Sequence, residues 1–270
     1  MDLLAAAFLG IVQGLTEFLP VSSSGHLILA RAFFGWDAGR FGLPFDVACH
    51  VGTFLAVIAF FYRDVIAMIA ALPGVLTGRR GPAERLVWLV VIGTLPVVFV
   101  GLVFGDLVGG DALRTPPVVA VTMALGAAGL LVAERLGTQT RSEDSVGYGE
   151  AFAIGIAQAA ALVPGISRSG ATLTLAMLLG LKRPGAARLI FLLSLPAVLA
   201  AAAKEALDVA KVGVEALPVT LFAVGLIVSG IVGYLTIKFF LRYLANHSLA
   251  VFAYYRFALA AVTAVWIWTR

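Results

Sequence analysis

The chain has 270 residues, of which 61% are hydrophobic and only 13% charged, with a formal net charge of +4. Soluble domains carry about 25% charged residues, so a water-soluble globular fold is excluded, and so small a positive excess reads as loop lysine and arginine, not as a nucleic-acid surface. The single cysteine, Cys49, excludes an intramolecular disulfide and a thiolate metal cluster.

In chain order, Met1-Asp2 offers no basic n-region and no small-residue cleavage pattern follows, so no secretory signal is predicted. A short helix is predicted over about 3–18, then a break in "EFLPVSSSGH" (17–26), then a second short helix over about 23–35. Apolar runs at 45–61, 86–105 and 117–133 predict long spans over about 44–62, 84–105 and 115–135. Short helices at about 150–162 and 168–181 flank a second break, and runs at 186–203, 218–237 and 249–268 predict spans over about 186–204, 218–240 and 249–268. Each long run suffices to cross a hydrocarbon core of about 30 Å as a helix. The alternation of a β-barrel is absent.

The two halves resemble each other. At an offset of 145, Ala6, Gly10, Ile11, Gln13, Ser22, Ser24 and Gly25 meet Ala151, Gly155, Ile156, Gln158, Ser167, Ser169 and Gly170 without a gap. Apolar composition explains the alanine and isoleucine matches; Gly-x-x-Gln together with Ser-x-Ser-Gly needs a repeat. The predicted fold is an all-α integral membrane protein forming one domain over 1–270. Repeat one covers about 1–136 and repeat two about 150–270, each a re-entrant helical hairpin plus three transmembrane helices. Irregular backbone at membrane depth must be buried in protein or line a wet cavity, which is why the short helices are read as hairpins.

Three crossings per repeat is odd, so the copies are predicted to be inverted. With the first hairpin entering from outside, Arg63, Arg79, Arg80, Arg85, Arg135, Arg141, Lys182, Arg183, Arg188, Lys238 and Arg242 fall inside. Arg31, Arg40, Arg114, Lys204, Lys211 and Arg270 fall outside, and Arg168 and Arg256 lie within the membrane. Eleven against six favours that orientation. Inverted repeats with broken helices are also typical of transporters.

The breaks hold the chemistry. Gln13 and Glu17 are four apart and share a helix face, and Gly14 beside them admits a close neighbour. A carboxylate at this depth needs a polar cavity or a partner. Pro20 is predicted to end the first helix, and Ser22, Ser23 and Ser24 stand where the next helix needs an N-cap. Free N–H groups at a helix N-terminus suit a phosphate. Ser23 and His26, three apart, are predicted to meet, the imidazole activating the hydroxyl. In "PGISRSGAT" (164–172), Arg168 stands where the repeat places Ser23, and its planar fork fits phosphate oxygens. Ser167, Ser169 and Thr172 add hydroxyls. Elsewhere His50 is a candidate to line the cavity, and His247 reads as solvated. Arg256 reads as a structural pair, and Glu134 and Glu205 lie at helix ends.

"QGLTEFLPVSSSGH" with "PGISRSGAT", and "YYRFALA" near the end, resembles the undecaprenyl-diphosphate phosphatases of the bacitracin-resistance type over essentially the whole chain. The resemblance implies removal of the terminal phosphate of undecaprenyl diphosphate, a polyprenyl lipid, at the outer face of the bacterial cytoplasmic membrane. That step recycles the carrier for peptidoglycan synthesis. It implies Glu17, Ser23, His26 and Arg168 as catalytic residues. Gln13, Ser22, Ser24, Ser167, Ser169 and Thr172 are the predicted substrate-binding set. It also implies a divalent cation, Mg or Ca, with Glu17 as its ligand. Many relatives have Glu where this chain has Gln13, so a two-carboxylate scheme is weakened and the diphosphate itself would hold most of the ion. Lipid phosphatases related to type 2 phosphatidic acid phosphatase share Ser-Gly-His and Ser-Arg segments. They also need a second histidine after the latter, and none lies between Arg168 and His247.

The resulting expectation is a membrane diphosphatase in which Ser23 attacks with help from His26, while Glu17 orients His26 or contacts the metal. Water activated by Glu17 or His26 is the alternative mechanism, and a flippase of polyprenyl phosphate the alternative function. A homodimer is compatible with either.

Overall fold

The computed structural model describes residues 2–212 and 218–269. Arg270, counted above among the outer cations, lies outside the described residues, as do the side chains of Lys211 and Glu205. Twelve α-helices follow in order among the described residues: α1 (Asp2–Thr16), α2 (Ser23–Phe34), α3 (Ala38–Phe41), α4 (Leu43–Phe60), α5 (Tyr62–Leu76), α6 (Pro82–Gly109), α7 (Pro116–Leu136), α8 (Tyr148–Ala160), α9 (Arg168–Leu178), α10 (Arg183–Val212), α11 (Val219–Leu244) and α12 (Ala250–Trp268).

Helices α4, α6, α7, α10, α11 and α12 are long and apolar enough to cross a membrane, and they coincide with the six predicted runs. Proline in the first turn of α4, α6 and α7, where an N–H would be unpaired anyway, fixes where those spans begin. Leu95, Phe99, Leu125, Ile231 and Phe239 stay exposed. Such a surface would aggregate in water and is the lipid-facing side of a multi-pass membrane protein. By contrast α1 and α8, with 15 and 13 residues, reach only about 20 Å.

The halves interlock. Helix α1 lies along α11, α8 lies along α6, and α7 packs against α12, α9 and α2. A Cβ on Gly14 would meet Val232 Cβ at 2.7 Å and the Ser229 carbonyl at 2.9 Å, so glycine is what lets α1 approach α11.

The structure adds to the sequence reading at three points. Helix α1 ends at Thr16, two residues before the predicted end at about 18 and ahead of the Pro20 break; the Glu17 N–H still bonds the Gln13 carbonyl, and a turn then carries Glu17 to Val21. The stretch after residue 62, for which no element was predicted, is a further helix, α5. Val65, Met68, Ile69, Leu72 and Leu76 recur at helical spacing there, but Tyr62-Arg63-Asp64 at its start masks the pattern. Arg31, counted above among the outer cations, is ion-paired. It is buried at the end of α2, where it donates to Asp46 of α4 (2.6 and 3.0 Å) and to the Phe41 carbonyl (2.6 Å), and Arg114 shares the same carboxylate.

Candidate active site

Both breaks are built alike. Ser22 caps α2 at φ 72°, ψ 93°, its Oγ accepting from Gly25 N at 3.3 Å. Ser167 caps α9 at φ 75°, ψ 115°, its Oγ accepting from Gly170 N at 3.1 Å. Positive φ is costly for serine and persists only where the surroundings enforce it. Each serine cap accepts from one N–H in the first turn of its helix, and a helix N-terminus is a place where an anion can be held.

The two breaks meet at Glu17. Its buried carboxylate accepts from Gln13 Nε2 (2.9 Å) and Ser23 Oγ (2.6 Å), pairs with Arg168, and lies 3.4 Å from His50 Nε2. Arg168 keeps 24% of its side chain exposed and His50 29%, so the far side of the ion pair is open to an incoming group. Ser169 Oγ donates to the Leu19 carbonyl at 2.9 Å, tying the second break to the first.

Ser23, Glu17, Gln13 and Arg168 are thus brought together, and His26 is not part of that group. Its Nδ1 faces the Ser22 carbonyl at 2.7 Å, and a carbonyl only accepts, so Nδ1 carries the proton. Nε2 then accepts from the Tyr255 hydroxyl at 2.7 Å, with the two rings stacked at 5.6 Å. Ser23 donates to Glu17 instead of His26, and Glu17 orients Ser23 rather than His26. The helical register allowed a Ser23–His26 contact, but partners from α12 and the preceding turn claim both ring nitrogens.

Among the predicted binding hydroxyls, Ser22 and Ser167 are occupied as caps, each 3.2–3.4 Å from the next-but-one serine, Ser24 or Ser169. Thr172 donates back to the Arg168 carbonyl at 2.7 Å. These groups shape the breaks.

Sequence reasoning missed Tyr255, whose only mark was its place beside Arg256. It gave His50 no partner. His50 lies one turn below Asp46 on α4, and its Nδ1 donates to the Asp46 carbonyl at 2.7 Å, which turns Nε2 toward Glu17. Arg256, read as half of an ion pair, has no carboxylate partner among the described residues.

The residues do not form a resident cation cage. Magnesium and calcium take about six or more oxygens. Here one carboxylate is already engaged by Arg168, Ser23 and Gln13, and Gln13 Oε1 is the one buried side-chain oxygen at the site left without a partner. Among the described residues no group of three His, Cys, Asp or Glu could hold a metal.

A strained serine cap, an adjacent serine on a carboxylate, and an arginine from a second matching break bring together donors of the kind a phosphate takes. The family model described as "Bacitracin resistance protein BacA" matches residues 6–262, through both breaks. The chain belongs to the BacA family. Curated relatives agree along their full length. The chain is 49% identical over 267 residues to the undecaprenyl-diphosphatase of Rubrobacter xylanophilus, covering 98% of each chain. It is 42% identical to that of Thermomicrobium roseum, covering 97% of each, and 40% identical to that of Moorella thermoacetica, covering both completely. In this BacA chain the matched region also takes in Tyr255 and Arg256, on the last helix.

Proposed function

We propose that the chain is an undecaprenyl-diphosphate phosphatase of the bacterial cytoplasmic membrane, with its site opening to the outer face. It releases phosphate and regenerates the monophosphate carrier for cell-wall synthesis, so its overproduction confers bacitracin resistance. The observation that carries the reading is the Ser23 hydroxyl 2.6 Å from Glu17 Oε2, with Arg168 on the same carboxylate.

The terminal phosphate, entering from the open side, draws Arg168 off Glu17 into a bidentate grip. Glu17, released, takes the Ser23 proton while Oγ attacks phosphorus, and the lipid monophosphate leaves. Arg168 and the N–H groups of α2 and α9 stabilise charge on the transferring phosphoryl group. Glu17 passes the Ser23 proton to the departing monophosphate and is a carboxylate again; it then takes a proton from water as the water oxygen attacks the phosphoserine phosphorus, and Ser23 Oγ leaves with that proton as phosphate is released. His26, held by Tyr255 and Ser22, keeps the α2 N-terminus in register. An apolar groove of about 460 Å³ between α7, α8 and α9 runs beside the second break and is lined by Gly126, Ala157, Ala160, Ile166 and Leu175. Its chemistry suits a prenyl chain. The divalent cation is proposed to arrive as the diphosphate's own counter-ion. A homodimer is proposed as the assembly, to be checked by cross-linking in the membrane.

The test is phosphate release from undecaprenyl diphosphate by protein solubilised in detergent, where no bilayer exists to flip across. Multiple turnover supports the reading. Lipid movement in vesicles without phosphate release in detergent would establish the carrier instead.

A further inference from the structure

Arg256 is 0% exposed, and it lies in the last helix, far in sequence from both breaks. Among the described residues it makes no ion pair. All its recorded hydrogen bonds go to backbone carbonyls. Nε donates to Met123 O (3.1 Å) and Nη1 to Pro20 O (3.2 Å). Nη2 faces Gly165 O (2.9 Å), Ile166 O (2.9 Å) and, more distantly, Thr122 O (3.4 Å).

Those carbonyls have a pattern. Pro20 lies two residues before the Ser22 cap, Gly165 and Ile166 lie just before the Ser167 cap, and Met123 and Thr122 lie on α7 between them. A break in a helix leaves carbonyls that need partners wherever they are buried. One planar fork answers both breaks at once. A socket is kept for it: a Cβ on Gly126 would lie 2.0 Å from Nη2 and 2.7 Å from Cζ.

We infer that Arg256 is a positioning residue that fixes the two breaks to each other and to α7, so that Ser23 with Glu17 on one hairpin and Arg168 on the other face a single phosphate. Its role lies in the fork, five N–H donors in one plane, and not in its charge alone. A lysine has three donors and no plane, and it cannot span both breaks and α7 together. The kinetic arm of this inference rests on the phosphatase reading; the structural arm does not.

The experiment compares wild-type protein with Arg256→Lys, Arg256→Gln and Gly126→Ala, all full-length in detergent. Gly126→Ala keeps the arginine but fills its socket, and alanine is the better helix former, so a loss there does not come from a weakened α7. Hydrogen exchange of segments 17–26 and 164–170 is measured first. All three variants should exchange faster in both segments, and unchanged protection in either segment would overturn the inference. Phosphate release is measured next. A misplacement of about 1 Å costs on the order of a hundredfold, so kcat should fall by that order in Arg256→Lys and Arg256→Gln, and less in Gly126→Ala, with KM within about threefold of wild type. Wild-type kcat in Arg256→Lys would show that charge suffices and would sink the proposal. Faster exchange in the variants of a chain whose wild type releases no phosphate would instead fault the phosphatase reading and leave the positioning role standing.

Discussion

Replacing Glu17 by glutamine keeps the side chain's volume and its bond to Gln13 but removes the carboxylate to which Ser23 donates. The Ser23 hydroxyl sits 2.6 Å from Oε2. The amide oxygen can still accept that hydrogen bond, yet it is far too weak a base to keep the proton. Loss of a general base costs about 10²–10⁴ in rate, equivalent to roughly 3–5 kcal/mol of transition-state stabilisation. The fall should appear in kcat. KM should hold or drop, because Arg168, no longer paired with a carboxylate, is free to take the phosphate. The stability penalty is smaller. The carboxylate is buried, but 24% of the Arg168 side chain is exposed and water can solvate it, so about 1–2 kcal/mol is expected, below the cost of breaking a fully buried pair. Glu17→Asp sharpens the test. It keeps the charge but withdraws the carboxylate by about 1.5 Å, stretching the contact to about 4 Å, beyond hydrogen-bond range, so it should lose at least about tenfold. Phosphate release under saturating undecaprenyl diphosphate, alongside thermal unfolding in the same detergent, measures both effects. Glu17→Gln turning over within about tenfold of wild type would refute Glu17 as the base for Ser23.

Four further outcomes are expected. Arg168→Lys should not restore the activity lost in Arg168→Ala, because a point charge does not replace a planar fork on phosphate; near-normal turnover by the lysine variant would count against the clamp. Ser23→Ala should abolish formation of an acid-stable phosphoenzyme and cost far more than Ser24→Ala, since Ser24 Oγ lies 3.4 Å from Ser22 Oγ and is not on Glu17. In a Cys49→Ala background, cysteines at Arg40 and Asp111 should label from outside and one at Arg80 only after permeabilisation; the reverse pattern inverts the proposed orientation. The Glu150 carboxyl is held below its ordinary range chiefly by its hydrogen bonds from Arg141, against some burial. Its stabilisation is therefore present above the unfolded carboxylate pKa and is lost as pH falls through the lower folded value. Glu150→Gln should flatten that acid limb of the unfolding profile, and an unchanged limb would show that the brace contributes nothing.

What the sequence made legible was whatever a single segment decides. Apolar length marks a span, so all six were readable, and Pro, Gly and Ser mark a break, so both were readable. Gln13 and Glu17 share a face because four residues separate them, and the contact exists. Partner choice between distant segments was not readable. Ser23 and His26 are three apart, and on spacing alone they should meet. Tyr255, 229 residues away in sequence, takes the imidazole, and the Ser22 carbonyl takes its other nitrogen. The same holds for His50, whose tilt toward Glu17 depends on a backbone bond one turn earlier. It holds also for Arg31, whose counter-charge Asp46 lies on α4, beyond the short helix α3. Helix α5 was hidden differently: its periodicity was present, but its charged start interrupts the apolar run and no element was predicted there.

The polar groups concentrate in two short segments because a broken helix in hydrocarbon has two different debts. On the side where a helix ends it leaves carbonyls, and on the side where the next begins it leaves N–H groups. In this chain the carbonyls are covered from within the protein: Pro20, Gly165 and Ile166 by Arg256, Pro164 by Thr122 at 2.7 Å, and Leu19 by Ser169. The N–H groups are covered only in part, by the Ser22 and Ser167 caps. Acceptors are therefore satisfied by fixed residues, while donors remain at the starts of α2 and α9, where Arg168 is the cation with an exposed side. An anion completes that arrangement and a cation does not. The asymmetry supports the proposed site, in which phosphate is held through the protein's own donors and not by an oxygen cage of the kind a resident metal would require.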